Sequence, residues 1–433
     1  MTEQRAGTNR RAFMKRLMIA SGATAVAGMG GGAAVQAMAD DGTGTGATPS
    51  AGPTATPTGG PGGPGGPGGG PGNLAVTDDF FGLTTDGRKI DGLFTIHSEG
   101  VDTAPVAAAA KAFLAGLSDP QKKETQFTIH SLEWRQWCNI DSYERNGVSL
   151  ADLSDDQKAL TTALLKASLS ADGLETTEKI RQLNQAAGEA IGNTKSFNDE
   201  AFYFTVMGEP SATAPWGWQI DGHHLVINYF VLGDQVVMSP CFWGSEPTTM
   251  QIDGTTVSVC QDEIKAGLDF INSLTSEQKA VAIASADKSG ESMVAGAFAD
   301  NTVQAYTGIQ GSKLTAAQRT KLVALVESFV GKAKADVARA KMKEVRKHLA
   351  DTRLTWAGGT AADSAFYCRV HSPVIWIELD CQAPGPLAGA YGAKQGDPAT
   401  QMHVHAVVRT PHGNDYGKEL LRQHYLTSPH HAH

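Results

Sequence analysis

The chain has 433 residues, with 36 basic and 45 acidic side chains and a formal net charge of −9. Residues 1–39 hold five of the basic residues and one acidic residue, so the rest of the chain has 31 basic against 44 acidic residues, a net charge of −13. This balance disfavours a nucleic-acid partner and an anionic membrane surface, because both attract basic patches.

The first residues have the order of an export signal. Residues 9–15 read NRRAFMK, which is close to the twin-arginine pattern, with the pair at Arg10 and Arg11. A short apolar run of small residues follows, and Ala37-Met38-Ala39 offers a cleavage site. The run is too short for a convincing membrane span. We therefore expect a signal peptide at residues 1–39, a partnership with the twin-arginine export machinery, and a secreted or periplasmic mature chain with no stable membrane span.

Residues 40–75 are expected to form a flexible linker. They are almost entirely Gly, Pro, Ala and Thr, with a short PGG repeat, and they contain almost nothing large and apolar to bury. Residues 76–430 then form a single large domain. Its five cysteines are spread along the chain and include no CxxC pair, so a thiolate zinc site is not expected.

Helical and strand-like blocks alternate along this domain. Apolar residues recur at helical spacing in 105–125, 154–190, 261–284 and 314–349. The phrases LSDPQKKET, LSDDQKALTT, LTSEQKAVA and LTAAQRTKL are interpreted as similar helix starts rather than repeats, because their spacing is irregular. Aromatic and β-branched runs predict strands at 202–206, 216–220, 223–232, 235–238, 365–371, 374–381 and 402–409. Asp221-Gly222 predicts a type I′ hairpin turn between two of them. The fold class is therefore α+β, a mostly antiparallel sheet with several flanking helices.

Histidines and acids concentrate in two of the strand segments. The first contains His223 and His224, and the second runs from Glu378 and Asp380 to the pair His403 and His405. Since side chains of a strand alternate between its faces, His403 and His405 share one face, whereas His223 and His224 point to opposite faces. If the segments are neighbours, imidazoles and carboxylates meet in one place. That donor set suits a divalent transition metal such as Zn, Fe or Mn, although a polar strand face with structural histidines gives the same pattern.

The segment after the histidine pair adds two more candidates for a catalytic role. Arg409 is placed to bind a substrate carboxylate or phosphate, or to form an ion pair with Asp415. Tyr416 is placed to donate to a substrate oxygen, or to pack in the core. Glu378 and Asp380 are the candidates for a carboxylate ligand or general base.

Several long segments together resemble a known family. They are WGWQIDGHHLVIN, MSPCFWGSEP, VHSPVIWIELD, HVHAVVRTPHGNDYGKELLRQHY, FGLTTDGRKIDGLF and EWRQWCNIDSYERNGVSL. All resemble the family called domain of unknown function 3500, over roughly residues 80–427. The resemblance implies kinship and no established activity. Many members of the family carry export signals, as Arg10 and Arg11 indicate here.

Three functions remain open at this point. The first is an exported metal-dependent enzyme acting on an unknown small-molecule substrate, with hydrolysis favoured, in which His403, His405 and His223 hold the metal. The second is a non-catalytic binding protein whose tryptophans, in Trp134–Trp137 and Trp216–Trp218, hold a small molecule or a glycan. The third is an iron-dependent oxidoreductase, which uses two histidines and one carboxylate.

Overall fold

The computed structural model of the chain describes residue 76, residues 78–288 and residues 290–427. The expected signal peptide and the whole expected linker, residues 1–75, lie outside the described residues. Within these ranges the chain forms nine α-helices and a thirteen-stranded, mostly antiparallel sheet, so the α+β prediction is confirmed. No helix in these ranges has the length and hydropathy needed to cross a membrane.

The helices follow the predicted blocks, and each predicted block divides into two helices. Four helices begin with a capping box, in which a Ser or Thr at the N-cap and a Gln three residues later bond each other's backbone. The helices are α1 Ala104–Gly116, α2 Asp119–Thr125, α3 Asp155–Ser168, α4 Ala171–Ala190, α5 Gln261–Ile271, α6 Ser276–Ala282, α7 Ala316–Val330, α8 Ala335–Lys347 and α9 Lys418–Thr427.

The strands are β1 Gln126–Phe127, β2 Val148–Ser149, β3 Phe202–Met207, β4 Trp216–Gly222, β5 Leu225–Leu232, β6 Gln235–Val237, β7 Cys241–Ser245, β8 Thr249–Ile252, β9 Thr255–Ser258, β10 Ile283–Ser285, β11 Ile309–Gln310, β12 Arg353–Gly358, β13 Phe366–His371, β14 Trp376–Cys381 and β15 Val404–Arg409. The strand order of the main sheet is β1-β3-β4-β5-β7-β15-β14-β13-β12-β10. In addition, β2 pairs with β3, β6 with β5 and β11 with β12, whereas β8 and β9 form a separate hairpin.

Part of the element order occurs twice. In each half two helices lead to a short strand that pairs in parallel with a later strand, β1 with β3 and β10 with β12. A second short strand pairs antiparallel with that same later strand. The capping glutamines of each half also bond to one another, Gln157 to Gln121 at 2.9 Å and Gln318 to Gln278 at 2.7 Å. The four similar phrases are therefore helix starts, as predicted, and their helices occupy corresponding places in an internal structural repeat.

The two halves meet where β7 pairs antiparallel with β15. On β14 the apolar side chains of Ile377 and Leu379 lie in the hydrophobic core, on the face opposite to Glu378 and Asp380. That second, polar face is shared by His405, which is the register partner of Asp380. The candidate site residues of the second strand segment therefore lie on one face of the sheet.

The hairpin between β4 and β5 turns two residues later than predicted. Asp221 and Gly222 stay in β4, paired with Val226 and Leu225, and His223 and His224 form the turn. Asp221 is held there by an ion pair with Arg145 at 3.0 Å. A Cβ on Gly222 would lie 2.2 Å from the Phe202 ring, so glycine is required here by close packing and not by the geometry of the turn.

The tryptophans and cysteines are part of the core. Trp134, Trp137, Trp216 and Trp218 are fully buried, so both tryptophan segments pack in the core. All five cysteines are buried and form no disulfide. Burial raises the pKa of each thiol, which keeps it protonated and unreactive.

Candidate metal centre

Three histidines from different parts of the chain meet at one point on the polar face. His224 comes from the β4–β5 turn, whereas His403 and His405 come from the start of β15. Strands β5 and β15 lie on either side of β7, which brings the turn and the histidine pair together. A Cβ on Gly244 of β7 would lie 2.4 Å from the Val404 carbonyl oxygen, so this close strand contact requires glycine.

The three rings turn the same nitrogen toward one another. The Nε2 atom of His405 lies 3.1 Å from Nε2 of His224 and 3.1 Å from Nε2 of His403. Two imidazole nitrogens bound to one tetrahedral zinc, each about 2.0–2.1 Å from it, are roughly 3.3 Å apart. The separations therefore match those of a three-histidine metal site.

Hydrogen bonding alone does not satisfy these three nitrogens. The Nδ1 atom of His403 lies 2.7 Å from the Ala383 carbonyl oxygen, which can only accept, so this nitrogen carries the proton and Nε2 presents a lone pair. One proton on Nε2 of His405 can point at only one of its two neighbours. At least one of the two close pairs of nitrogens therefore has no hydrogen bond, an arrangement that a bound cation relieves.

Burial keeps the three rings neutral, as metal ligands must be. His224 and His403 are only 5% and 7% exposed, and His405 keeps slightly more exposure. Burial, reinforced by the neighbouring imidazoles, holds the pKa of His224 and of His405 well below the ordinary value. Burial also lowers the pKa of His403, and Glu246 opposes this effect. All three lone pairs are thus available at neutral pH.

Glu246 contacts the centre next to His403, and it was not among the residues predicted for the site. Its carboxylate lies 3.9 Å from Nδ1 of His403. It accepts hydrogen bonds from the backbone of Gly385 and Leu387 and from the Tyr391 hydroxyl. These bonds fix the loop that carries the Ala383 carbonyl, and so they hold the His403 ring in its orientation.

His223 lies beside the centre and is not one of the converging ligands. Its ring stacks on His224, with 3.8 Å between centroids, and its Nδ1 lies 2.7 Å from the side-chain oxygen of Asn184. The prediction that the two neighbouring histidines point to opposite faces was wrong, because both lie in the turn, with His224 at a φ of +60°. Strand alternation does not apply there. The ligand from this segment is therefore His224, in place of His223.

Glu378 and Asp380 lie on the same sheet face but bind a segment of the chain. Glu378 accepts from the backbone nitrogens of Val294 and Ala295 at 2.8 and 2.9 Å, and also from the Tyr367 hydroxyl and the Trp376 indole. Asp380 accepts from Ser292 and Met293, and the Lys288 ammonium is 3.1 Å away. We call Lys288 and residues 290–296 the strap. The strap takes up the lone pairs that a ligand or general base would need, and the group of converging donors contains neither acid.

Arg409 and Tyr416 also form ion pairs or hydrogen bonds with other residues of the chain. Arg409 is completely buried, forms ion pairs with Asp300 at 2.8 Å and Asp415 at 3.1 Å, and donates to the strap carbonyls of Ala295 and Gly296. The Tyr416 hydroxyl donates to Asp300. The ion pair with Asp415, one of the two alternatives for Arg409, is confirmed.

A cavity of about 390 Å³ lies away from His224, His403 and His405. Its wall contains Trp243 and Val408, which belong to the sheet face opposite to His405. Helix α8 and the loop at residues 92–99 close it. The cavity has the volume of a small-molecule site and does not open onto the metal centre.

The chain belongs to a family described as a protein of unknown function, DUF3500. The family profile matches residues 99–418, which include the three converging histidines, Glu246 and the strap. No curated protein and no solved structure matches the chain. The family membership agrees with the resemblance found in the sequence and supplies no activity.

Proposed function

We propose that this protein is an exported metal-dependent enzyme, with hydrolysis the favoured reaction. The observation that carries the proposal is the convergence of ring nitrogens from His224, His403 and His405, in which Nε2 of His405 lies 3.1 Å from Nε2 of each of the other two. Three histidines leave a fourth tetrahedral position for water or substrate, as in catalytic zinc sites. A zinc ion held there would act as a Lewis acid toward a carbonyl or phosphoryl oxygen and would make a coordinated water more acidic.

The residues around the triad hold its geometry. The Ala383 carbonyl fixes the tautomer of His403, and the stacked His223 ring, anchored by Asn184, limits rotation of His224. An iron oxidoreductase of the two-histidine, one-carboxylate type has less support, because no carboxylate joins the converging group among the described residues.

Metal analysis tests the proposal directly. Protein exported by its native route is expected to hold about one divalent metal per chain and to lose thermal stability in chelator. His403→Ala is expected to abolish both effects, whereas the exposed His97→Ala, a matched control, preserves them. Metal-free protein whose melting temperature is unchanged by zinc or by chelator would end the proposal.

A non-catalytic binding protein is the second candidate, and the 390 Å³ cavity favours it. The cavity combines apolar walls with polar side chains at its rim, as small-molecule sites do. A protein without metal that binds an apolar dye stoichiometrically, and loses it when Ala340→Trp fills the cavity, would support this function over the enzyme.

We also propose export of the folded chain by the twin-arginine route. The NRRAFMK segment and the Ala37-Met38-Ala39 site support it. Five buried thiols without a disulfide fit a chain that folds in a reducing compartment before export. Replacing Arg10 and Arg11 by lysine is expected to leave the protein in the cytoplasm, and unchanged export of that variant would contradict this route.

A further inference from the structure

A second group of polar side chains lies on β12 and β13, away from the triad. Arg353 and His371 are register partners on these neighbouring strands. Arg369 lies two residues before His371 and so projects from the same face of the sheet. Two guanidinium groups and an imidazole therefore share one small area of the sheet.

Neither arginine donates to a carboxylate within the described ranges. Arg369 is 6% exposed, and its terminal nitrogens donate to the hydroxyls of Thr307 at 2.7 Å and Tyr367 at 3.5 Å. Arg353, which is partly buried, donates to the side-chain oxygen of Gln310 at 3.3 Å. These acceptors are neutral, and the Nε atom of each arginine is buried and has no acceptor among the described residues. A buried guanidinium group such as that of Arg369 is normally paired with an anion, so this arrangement is incomplete.

The acid nearest in strand register does not complete it. Glu378 is the register partner of Arg369 on β14. Its two oxygens accept from the strap nitrogens of Val294 and Ala295, from the Tyr367 hydroxyl and from the Trp376 indole. The Glu378 carboxylate is therefore bound to the strap and makes no ion pair with the arginine among the described contacts.

The histidine of the group has unsatisfied nitrogens as well. His371 is 1% exposed, and neither of its ring nitrogens has a partner within the described part of the chain. Its ring packs against Tyr306 at 4.4 Å and Trp376 at 4.6 Å between centroids. Buried polar atoms in native proteins nearly always have a partner, so the unsatisfied atoms of these three neighbouring side chains indicate a missing one.

The electrostatic surroundings indicate the charge of the missing partner. Burial lowers the pKa of His371, and the charges of Arg369, His412 and Arg353 add to this effect, so that the pKa falls to about 3. The ring is thus neutral, and the uncompensated charge around it is positive. Arg353 and Tyr306 are only partly buried and Thr307 is exposed, which leaves a route from solvent.

We propose that Arg353, Arg369 and His371 form a binding site for an oxyanion group, a phosphate or a carboxylate. Guanidinium forks match the oxygen spacing of both groups and bind them with charge-assisted hydrogen bonds. The anion supplies acceptors for the two Nε atoms and for the single ring proton of the neutral His371. The site shares no residue with the metal centre and does not depend on the proposed enzyme activity.

Titration calorimetry and thermal unfolding of the intact mature protein test the site, with inorganic phosphate and acetate as probes at constant ionic strength. We expect saturable binding and a melting temperature raised by roughly 3 °C near saturation. Stronger binding of phosphate identifies a phosphoryl ligand, and stronger binding of acetate identifies a carboxylate. Arg369→Gln is expected to weaken binding at least tenfold.

Because a buried substitution can prevent folding, Arg353→Gln at the partly exposed edge provides a second variant, with the same expected weakening. Arg422→Gln on α9, whose exposed side chain pairs with Glu419, is the charge-matched control and should bind the probe normally. Failure of both probes to bind the folded wild type at 50 mM would overturn the proposal. Equal binding by the wild type and the Arg353→Gln variant would also overturn it, since the bound ion is then adventitious.

Discussion

Two neighbouring regions of one sheet face contain residues that sequence analysis selects as catalytic or metal-binding. The regions differ in whether the polar atoms of these residues have hydrogen-bond partners within the chain. Around Glu378, Asp380 and Arg409, each carboxylate and the guanidinium has partners within the chain. Around His224, His403 and His405, three nitrogens face one another with too few protons to bridge them. Unused ligand capacity, and not residue type or burial, distinguishes a candidate site from a structural cluster.

The largest expected effect comes from removing one imidazole of the triad. His405→Ala should weaken zinc binding about a thousandfold, or roughly 4 kcal/mol, because it removes the ligand that contacts both others. His223→Ala, which removes only a stacked neighbour, should cost about tenfold or less. Competition against a chromophoric chelator measures both constants. A greater loss for the His223 variant than for the His405 variant would reverse the ligand assignment.

Removal of a charge from the region around Glu378, Asp380 and Arg409 should lower the stability of the protein and leave its metal affinity unchanged. Arg409→Met leaves Asp300 and Asp415 buried without their shared cation, and we expect it to lower the free energy of unfolding by about 3–5 kcal/mol. Urea unfolding checks the loss. The folded fraction of this variant should still bind metal with wild-type affinity. A variant that keeps its stability but loses metal would place Arg409 in the site instead.

A smaller effect is expected for Glu246, which supports the triad without reaching the converging nitrogens. Glu246→Gln keeps most of the bonds to the Gly385 and Leu387 amides but removes the charge beside His403, so metal affinity should fall about tenfold. The distant Glu209→Gln provides a matched control. Unchanged affinity would show that the Ala383 carbonyl alone orients His403.

The smallest expected effect concerns Lys418, outside both regions. Burial, followed by the charge of Arg135, lowers its pKa to about 8. Below pH 8 the amine is charged in the folded and unfolded chain alike, and the cost of burying the charge is fully present. Between pH 8 and 10.5 the unfolded chain binds more protons, so this group makes stability rise with pH.

Lys418→Met should therefore stabilise the protein by about 1–2 kcal/mol at pH 7, after allowance for the partial exposure of the amine, and the gain should shrink toward pH 10. Urea unfolding at several pH values measures it. A gain that is constant with pH would attribute the effect to packing alone.

Much of the fold could be predicted from the sequence, because the helix caps and the strand composition are local signals. The turn at His223 and His224 could not, since Asp221-Gly222 carries the stronger local signal. A buried ion pair with Arg145 and packing of Phe202 override that signal. The pairing of β7 with β15 is likewise non-local, and the internal repeat appears only when strand pairings are compared.

The residues of the site could likewise be predicted only where the signal in the sequence is local. His403 and His405 were found from their alternation on one strand, which is a local pattern. Glu246 was missed because its partners, Gly385 to Tyr391, lie about 140 residues further along the chain. Glu378 and Asp380 fit a carboxylate ligand by residue type, and only the strap contacts at residues 292–295 show that their oxygens are occupied.

A crystal of the exported protein, measured at the zinc absorption edge and with the edges of iron and manganese as comparisons, tests the metal centre most directly. We expect one anomalous peak about 2.0–2.1 Å from the Nε2 atoms of His224, His403 and His405. Rings at the same separations with only water between them, in crystals grown with excess metal, would contradict the assignment.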